Sequence, residues 1–535
     1  MRLNLLTTWS RCFNCIGLLA ALVLAGELHA AGVLSNPGFE SDAPGQHQNL
    51  LGWTWYGQPW GNTFNETGAD ARSGNNFFKV FQGFTGSVNY NGVYQDYISG
   101  PGATYTADGW AFTATADALD GQNLAWIEVS FRDATGGMLS LYRSALITTN
   151  TIATGAFPKS LWNNLRVTNQ CNTSTFAITN TVTKLVAPVG TFYVRYQLVF
   201  QGDANNSGGS VYFDDLNLAQ ISGTAYGDYN IVWSDEFDGT AIKTNLWTYD
   251  TGTGGSNPGW GNNELENYTS RATNAFVTNG LLHIVARKES LGGASYTSAR
   301  MKSQGLFAAK FGRIEWRAAL PTGVGFWPAL WLLGTNITTL GWPGCGEVDV
   351  LENVGSNPLM AQASIHSGSD ATAIYNFTDG NTTTNFHTYT FDWTTNAMLF
   401  YVDGHLYQTQ TSWGTSVGGQ SYPFPFNQPF FFIMNLAIGG NYIGNPTTSA
   451  INAGSVFPGE IQVDYLRIYN VTAPFRIGVN KSGANLLLTW PSNIVCRMQS
   501  QTNLLVSNWV QIGTASNSLP VAAPAGNVFY RLVSP

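Results

Sequence analysis

The chain has 535 residues, of which 44% are apolar, 13% are aromatic and only 10% are charged, with 59 glycines and a net charge of −8. This composition favours β-structure with many turns, and the length is too great for one compact domain. The acidic balance argues against a surface for nucleic acid or anionic membranes, and against a heavily sulfated polymer, which would require clusters of Arg and Lys.

Residues 1–31 are predicted to be a signal peptide. Arg2 and Arg11 give a basic start, and an apolar run of about ten residues follows at 16–25. This run is shorter than the ~20 residues that a membrane-spanning helix needs. We therefore expect a secreted protein without a membrane anchor. Three cysteines remain after this segment, and an odd number predicts no disulfide framework.

The next segment, residues 32–222, is predicted to be a β-sandwich. Runs such as "LAWIEVSFRD" (124–133) and "TFYVRYQLVF" (191–200) alternate with period two, and clusters of Gly, Asn and Asp separate such runs. Its two ends, "NPGFE" (36–40) and "GSVYFDDLNL" (209–218), resemble the edges of carbohydrate-binding modules with a jelly-roll fold.

That resemblance implies a structural calcium ion with Glu40 and Asp214 as ligands, since carboxylate oxygens suit this hard cation. Four tryptophans of the segment are candidate platforms for stacking sugars, and core packing is the alternative for each of them: Trp53, Trp55, Trp60 and Trp110.

A short polar join at residues 223–230 leads to a second domain at residues 231–472. Residues 473–535 then form a tail with strand-like pieces, "NLLLTW" (485–490) and "VFYRLV" (528–533). We expect a small β-rich module there, and the sequence does not indicate its function.

Three carboxylates lie within six residues of the second domain, in "GCGEVDVLEN" (344–353). Because a strand alternates its faces with period two, Glu347 and Asp349 share a face and Glu352 falls out of step by one. A β-bulge near Val350–Leu351 would turn all three acids to the same side. Their mutual repulsion is unfavourable for stability, so the cluster indicates catalysis.

Two neighbouring carboxyl groups are the machinery of a retaining glycosidase, in which one is the nucleophile and the other the acid/base. One glutamate must keep its proton at the working pH, and repulsion within the cluster raises its pKa. Asp349 is expected to hydrogen-bond the nucleophile and to keep the pKa values apart. No cofactor is expected for this cleavage. Cys345, beside the cluster, is predicted to be a buried small residue rather than a thiol nucleophile.

The motif "EVDVLE" resembles the E-x-D-x-x-E signature of glycoside hydrolase family 16. Further segments agree with that family in order and spacing, including "DEFDG" (235–239), "GWGNNELENYT" (259–269), "FGRIEWRAALPTGVGFWPALWLLG" (311–334) and "VDYLRIY" (463–469). The resemblance covers the whole second domain and implies an all-β jelly-roll sandwich with a concave cleft. It also implies that Glu347 is the nucleophile, Glu352 the acid/base and Asp349 their assistant.

Within that family, the segments "GWGNNELENYT" and "WPALW" are most similar to laminarinases, the endo-β-1,3-glucanases. The resemblance implies that Trp327 and Trp331, which share a strand face, wall the sugar subsite next to the nucleophile. It also implies further substrate contacts from Trp260, Asn262, Asn263, Arg300, His366, Asn441 and Tyr442. The alternatives are core packing for the tryptophans, a plain turn for the 260–263 loop and structural roles for Arg300 and His366.

A second calcium ion is implied on the convex face of the same domain, with Asp464 and Glu236 as ligands. We therefore expect a secreted, monomeric, retaining endo-glycosidase whose partner is a laminarin-like β-1,3-glucan. The enzymatic alternatives are the same machinery acting on a mixed β-1,3/1,4-glucan or an agar-type galactan, and transglycosylation. The alternative of another class is a glucan-binding protein without activity, although the three acids argue against it.

Overall fold

The computed structural model describes residues 32–533 except 42, 44, 47–49, 58–62, 68–69, 223–228, 379, 471–477, 483–484, 490–495, 502–509, 516–517 and 523–528. The predicted signal peptide, most of the predicted linker and Trp60 lie outside the described residues. Almost all regular structure within them is β-strand, which confirms the all-β prediction. No helix in the described part of the chain has the length and apolar character needed to cross a membrane.

The first 15 strands belong to the N-terminal sandwich. They are β1 (Gly45–Gln46), β2 (Thr54–Tyr56), β3 (Thr63–Thr67), β4 (Asn76–Phe81), β5 (Asn89–Ile98), β6 (Thr104–Phe112), β7 (Leu124–Arg132), β8 (Met138–Arg143), β9 (Ile147–Thr148), β10 (Asn163–Arg166), β11 (Asn169–Cys171), β12 (Ile178–Thr181), β13 (Leu185–Val186), β14 (Tyr193–Gly202) and β15 (Ser210–Ser222). One short helix, α1 (Thr149–Ala153), follows β9, and a 3-10 turn spans Thr115–Asp117.

These strands form two antiparallel layers. One sheet has the order β1-β3-β4-β15-β6-β10 with β13 on β6, and the other has the order β12-β11-β8-β7-β14-β5 with β2 on β5 and β9 on β7. The inward side chains of the alternating strands, such as Phe78, Ile127 and Leu198, are fully buried between the layers. Apolar area removed from water there stabilises the sandwich by roughly 25 cal/mol per Å².

The second domain contains β16 (Asn230–Asp235), β17 (Thr248–Asp250), β18 (Glu266–Tyr268), β19 (Ala275–Thr278), β20 (Leu281–Ala286), β21 (Tyr296–Ser298), β22 (Arg300–Lys302), β23 (Gly312–Ala319), β24 (Phe326–Gly334), β25 (Glu347–Glu352), β26 (Met360–His366), β27 (Ala371–Asn376), β28 (His387–Trp393), β29 (Met398–Val402), β30 (His405–Gln410), β31 (Phe430–Ile438) and β32 (Gly459–Asn470). Two short helices, α2 (Ile337–Leu340) and α3 (Thr448–Gly454), and a 3-10 turn at Pro258–Gly261 lie between them.

Two layers enclose the core of this domain as well. The cleft sheet, which carries the three acids, has the order β17-β22-β31-β24-β25-β26-β27. The outer sheet has the order β30-β29-β28-β23-β32-β20-β19, with β16 on β32. Trp316, Phe391 and Leu436 are among the fully buried side chains between them. The cleft sheet therefore has one face on the core, and its other face is available for the site.

The outer sheet continues into the N-terminal sandwich. Strand β5 pairs with β30 through Tyr97 and His405, and the N–H of Ile98 donates to the carbonyl of Gly404 over 2.6 Å. The side chains of Ile98 and Leu399 pack together in one buried cluster at this junction. The two sandwiches are thus joined by backbone pairing and by a shared apolar core.

A buried ion pair reinforces the same junction. The guanidinium of Arg313, which is fully buried, pairs with Asp392 at 2.7 Å. It also donates to the carbonyls of Ser99 at 3.3 Å and Phe192 at 3.4 Å, both in the N-terminal sandwich. A buried charge requires such partners, because its desolvation costs several kcal/mol.

The tail contains two three-stranded sheets, as a small β-rich module requires. They are formed by β33 (Gly478–Ser482), β34 (Asn485–Thr489) and β37 (Ser518–Ala522), and by β36 (Val510–Ala515), β35 (Cys496–Gln501) and β38 (Phe529–Val533).

The candidate stacking tryptophans of the N-terminal sandwich have different surroundings. Trp53 is 5% exposed in the sandwich core, and its indole N–H donates to the carbonyl of Asn36. Trp55 packs against the same core. The ring of Trp110 lies 3.8 Å beneath the guanidinium of Arg72. Core packing, the alternative interpretation, therefore describes Trp53.

Candidate active site

The predicted bulge is present in β25. On one side, Leu351 pairs with Leu330 and Asp349 pairs with Trp331, so Val350 has no partner on β24. On the other side, the register with β26 shifts between Asp349 and Glu352. The extra residue restores Glu352 to the face of the other two acids, as a bulge does when it re-aims a side chain.

All three acids line one cavity of about 410 Å³ on the open face of the cleft sheet. Its walls come from four strands, α2 and the loops around 257–264 and 342. The lining residues are Asn257, Trp260, Gly261, Asn262, Glu264, Arg300, Trp327, Ala329, Trp331, Leu333, Ile337, Trp342, Glu347, Asp349, Glu352 and Asn435.

Glu352 is 8% exposed and lies against two aromatic rings. The indole N–H of Trp327 donates to Oε1 of Glu352 over 3.0 Å, and the ring of Tyr442 stacks on Trp327 with centroids 5.1 Å apart. Burial, and then the charge of Asp349, raise the pKa of Glu352 to about 8, although the Trp327 hydrogen bond opposes the shift. Glu352 therefore holds its proton at neutral pH.

Glu347 and Asp349 form a second, connected group with His366. A side-chain hydrogen bond links the two acids, and Nε2 of His366 lies 3.2 Å from Oδ2 of Asp349. Burial, and then Asp349, raise the pKa of Glu347, and the His366 imidazolium opposes this shift. The histidine thus supplies positive charge to a cluster of three acids.

His366 itself lies between two carboxylates. Its Nδ1 faces Oδ2 of Asp370 at 3.1 Å on the side away from Asp349. Burial alone would lower the pKa of His366, but the bonds and charges of Asp349, Glu347 and Asp370 outweigh burial and raise that pKa to about 10. His366 is therefore an imidazolium at neutral pH.

Trp331 anchors the floor of the cavity. Its indole N–H donates to Oδ1 of Asn435 over 2.8 Å, and Asn435 donates to the hydroxyl of Tyr268 over 3.1 Å. That hydroxyl donates to Glu264 over 2.8 Å. The chain of hydrogen bonds fixes the plane of the Trp331 ring, so the ring is a preorganised surface.

Arg300 is the cation that lines the cavity. Its guanidinium lies over the rings of Trp260 at 5.1 Å and Trp331 at 4.8 Å. Oδ2 of Asp250 lies 3.2 Å from Nε of Arg300, and the same carboxylate also pairs with Lys302 at 2.5 Å. Arg300 thus pairs with an acid and also lines the cavity, and its contact with substrate stays a prediction.

The predicted loop at 260–263 forms one rim. Trp260 has φ 56°, an uncommon value for a bulky residue, and its buried indole N–H has no hydrogen-bond partner among the described residues. Asn262 lines the cavity, and its carbonyl accepts from the N–H of Asn441 over 2.7 Å. Asn263 donates instead to Oδ1 of Asn441. Asn263 and Asn441 therefore brace the rim and are absent from the cavity lining.

Several lining residues were not predicted from the sequence, among them Glu264, Asn435 and Trp342. Glu264 lies inside the quoted "GWGNNELENYT", and Asn435 is the lone polar residue of the buried strand β31. Trp342 is 58% exposed, and its ring centroid lies 6.0 Å from that of His366. A polar residue within a wholly apolar strand was a usable signal, whereas nothing local distinguished Trp342.

The two predicted calcium sites differ in their surroundings. Asp464 pairs with Arg317 at 2.6 Å and Glu236 pairs with Arg467 at 2.8 Å. Calcium at this first pair stays a prediction.

Glu40 and Asp214 both lie near Gly38 and accept backbone N–H groups of the 72–76 loop. Calcium at this second pair stays a prediction. In the described part of the chain, one cluster of at least three acidic, His or Cys side chains brings its ligand atoms within 4.8 Å, and it consists of Glu347, Asp349 and His366 of the cleft. Cys345 is fully buried, as predicted.

An open cleft with aromatic walls and three acids on one strand is the arrangement of a glycoside hydrolase. The model of the glycosyl hydrolases family 16 matches residues 262–464. The beta-glucanase of Rhodothermus marinus is 38% identical over 256 residues, which are 45% of this chain and 85% of that protein. The chain therefore belongs to glycosyl hydrolase family 16.

Two other similar proteins are a glucan endo-1,3-beta-glucosidase and a laminarinase. Glucan endo-1,3-beta-glucosidase A1 of Niallia circulans is 35% identical over 276 residues, which are 48% of this chain and 40% of that protein. The crystal structure of the laminarinase catalytic domain from Thermotoga maritima MSB8 has 39% identity and a TM-score of 0.42, and the match covers 45% of this chain and 98% of that domain. The chain thus spans less than half the length of the first of these relatives.

Proposed function

We propose that the protein is a retaining endo-β-1,3-glucanase that cleaves laminarin-like glucans. The observation that carries the proposal is the bulge in β25, because it gathers Glu347 and Glu352 in one aromatic cleft. Two carboxyl groups on opposite sides of a scissile bond are sufficient for glycoside cleavage, and the reaction needs no cofactor.

Glu352 is the acid of the proposed reaction. It enters the cycle protonated, since burial raises its pKa to about 8. Its proton goes to the glycosidic oxygen as the bond to the anomeric carbon breaks, and the departing sugar leaves as an alcohol. The ionised Glu352 then accepts a proton from water in the second step.

Glu347 is the nucleophile. Its carboxylate attacks the anomeric carbon and forms a glycosyl ester, which water hydrolyses with net retention of configuration. The His366 imidazolium stabilises the ionised form of the nucleophile against burial and the charge of Asp349. Asp349 lies beside Glu347 and 3.2 Å from the imidazolium of His366, so it is a positioning residue between them.

A neutral glucan suits the charges of the cleft. Four acids line it together with one cation, Arg300. An anionic polymer would meet repulsion there. The faces of Trp260, Trp327 and Trp331 offer stacking surfaces for the apolar faces of glucose rings, and the unpartnered indole N–H of Trp260 offers a donor to a hydroxyl.

The β-1,3 linkage of the substrate is supported by the similarity to glucan endo-1,3-beta-glucosidase A1 of Niallia circulans. We also propose export of the chain, supported by the basic and apolar order of residues 1–31. The monomeric state stays an expectation.

The test is digestion of laminarin, barley mixed-linkage glucan and agarose, with identification of the released oligosaccharides. We expect β-1,3-linked oligosaccharides of several lengths from laminarin, and a higher kcat/KM on laminarin than on the other two polymers. If oligosaccharides were released only from barley glucan or only from agarose, that polymer would be the substrate instead of laminarin. The Glu347→Gln variant is the control, and it should retain laminarin binding while hydrolysis falls by orders of magnitude. Binding by the unmodified protein without any hydrolysis would favour the glucan-binding alternative.

A further inference from the structure

A second cavity lies where the N-terminal sandwich meets the edge of the cleft sheet. It has a volume of about 390 Å³. The N-terminal sandwich contributes Leu51 and Gly52 just before β2, and the second domain contributes Ile374 and Asn376 of the edge strand β27. The cavity is therefore complete only when both domains are present.

The floor of the cleft leads directly towards this cavity. Glu352 pairs with Gln362 on β26, and Gln362 pairs with Ile374 on β27. Directly opposed residues of antiparallel strands share a face, so Ile374 lies on the same open face as the acid. The row crosses two strand spacings, which is roughly 10 Å. The junction is thus the next surface beyond Glu352 along the cleft sheet.

Both walls of the cavity present apolar surface to solvent. Ile374 is 51% exposed on one side and Leu51 is 38% exposed on the other. Asn376, also exposed, adds an amide at the end of β27. Apolar faces with a polar edge complement a sugar ring, whose faces carry C–H groups and whose rim carries hydroxyls.

The wall from the N-terminal sandwich is held rigidly against β30. Besides the strand pairing of Tyr97 and His405, the hydroxyl of Ser35 lies 3.0 Å from Nε2 of His405. A fixed wall loses little conformational entropy when a ligand binds, so even modest contacts contribute to affinity.

We propose that this junction is an additional subsite for the glucan chain on the acid side of the cleft, formed jointly by the two domains. The inference rests on the proposed function, since the occupant is the same chain that the three acids cleave. The N-terminal sandwich then lengthens the cleft, and long glucans gain a contact that short oligosaccharides do not reach.

The test places a charge on each wall, in Ile374→Asp and Leu51→Asp of the full chain. We measure kcat/KM on laminarin and on laminari-oligosaccharides of increasing length. We expect kcat/KM on laminarin to fall about tenfold in each variant, with a change below about twofold on the shortest oligosaccharide that is cleaved. The loss should enter mainly through KM, because the charged variants leave the acids in place.

Two matched variants provide the controls. Ile178, 52% exposed on β12, and Leu139, 36% exposed on β8, lie on strands of the N-terminal sandwich that are absent from the cavity lining. Ile178→Asp and Leu139→Asp should behave as the unmodified protein on every substrate. Equal kinetics of all four variants at every length would overturn the subsite while leaving the glucanase proposal intact. Failure of the unmodified protein to bind or cleave laminarin would overturn both.

Discussion

Trp327 and Glu352 lie on neighbouring strands, and the indole N–H of Trp327 donates a 3.0 Å hydrogen bond to Oε1 of Glu352. The same ring lines the cleft and carries the stacked ring of Tyr442. Because an N–H donor favours the ionised carboxylate, this bond works against the burial that keeps Glu352 protonated. Trp327 therefore both forms a wall of the cleft and lowers the pKa of Glu352.

Removal of that donor should shift the basic limb of the pH profile. In Trp327→Phe the bond that lowers the pKa of Glu352 is lost, so this pKa rises above about 8. The acid then stays protonated to higher pH, and the basic limb of kcat/KM on laminarin moves upward. Trp331→Phe is the control, because its indole N–H bonds Asn435 rather than an acid. If the basic limb of Trp327→Phe stayed where it is in the unmodified protein, the indole N–H of Trp327 would have no effect on the pKa of Glu352.

Removal of the imidazolium should shift the opposite limb. His366 lowers the pKa of Glu347 and of Asp349, and the nucleophile must be ionised to react. In His366→Gln the pKa of Glu347 rises, because the opposing positive charge is gone. The acidic limb of the pH profile therefore moves to higher pH. We expect kcat/KM at pH 6 to fall about tenfold or more, which corresponds to about 1.4 kcal/mol.

Asp370→Asn is a milder variant for comparison with His366→Gln. Asp370 contributes to the raised pKa of His366 but does not line the cleft. The acidic limb should stay near that of the unmodified protein, since Asp349 still holds the imidazolium at neutral pH. A larger shift of the acidic limb in Asp370→Asn than in His366→Gln would contradict the proposal that His366 acts directly on Glu347 and Asp349 and that Asp370 acts through His366.

Deletion of Val350 tests the register of β25. With the extra residue removed, the strand returns to period two and Glu352 follows Asp349 by two positions, so Glu347, Asp349 and Glu352 stay on the cleft face. Hydrolysis should therefore persist in the folded deletion variant, and Glu352→Gln in the same background should lower it by about 10²–10⁴-fold. Circular dichroism checks the fold, and equal hydrolysis with and without Glu352→Gln in that background would contradict the assigned acid.

The junction between the sandwiches should depend on Arg313. Removing one partner of a buried ion pair costs about 3–5 kcal/mol, whereas an exposed pair contributes about 0–1 kcal/mol. Arg313→Ala should therefore lower the free energy of unfolding far more than Arg271→Ala, since the pair of Arg271 with Glu289 is about 40% exposed. Denaturant titration measures both, and equal losses would contradict the role of Arg313.

The sequence was sufficient to predict the bulge, because three acids of one function cannot share a face under strict alternation. It also identified both tryptophans of β24, which are four residues apart on one strand. The bulge follows from local periodicity and chemistry, whereas the place of the two tryptophans in the cleft was implied by the resemblance to the family. Trp342 and Glu264 needed the packing of separate loops around the cleft, which local periodicity does not encode.

Long-range pairing explains the other differences between prediction and structure. The ion pair of Asp464 with Arg317, which lies on a neighbouring strand 147 positions away in the chain, was not predicted. The junction of the sandwiches pairs Tyr97 with His405. A period-two pattern identifies a strand but not its partner, so neither contact was visible from the chain alone.

The most direct test of the account is identification of the residue that forms the glycosyl ester. The protein is treated with a 2-deoxy-2-fluoro-β-laminarioligosyl fluoride, which slows hydrolysis of the intermediate, and the labelled peptide is sequenced by mass spectrometry. The account predicts the label on Glu347 and no label in Glu347→Gln. A label on Glu352 or Asp349, or stoichiometric labelling of the Glu347→Gln variant, would contradict it.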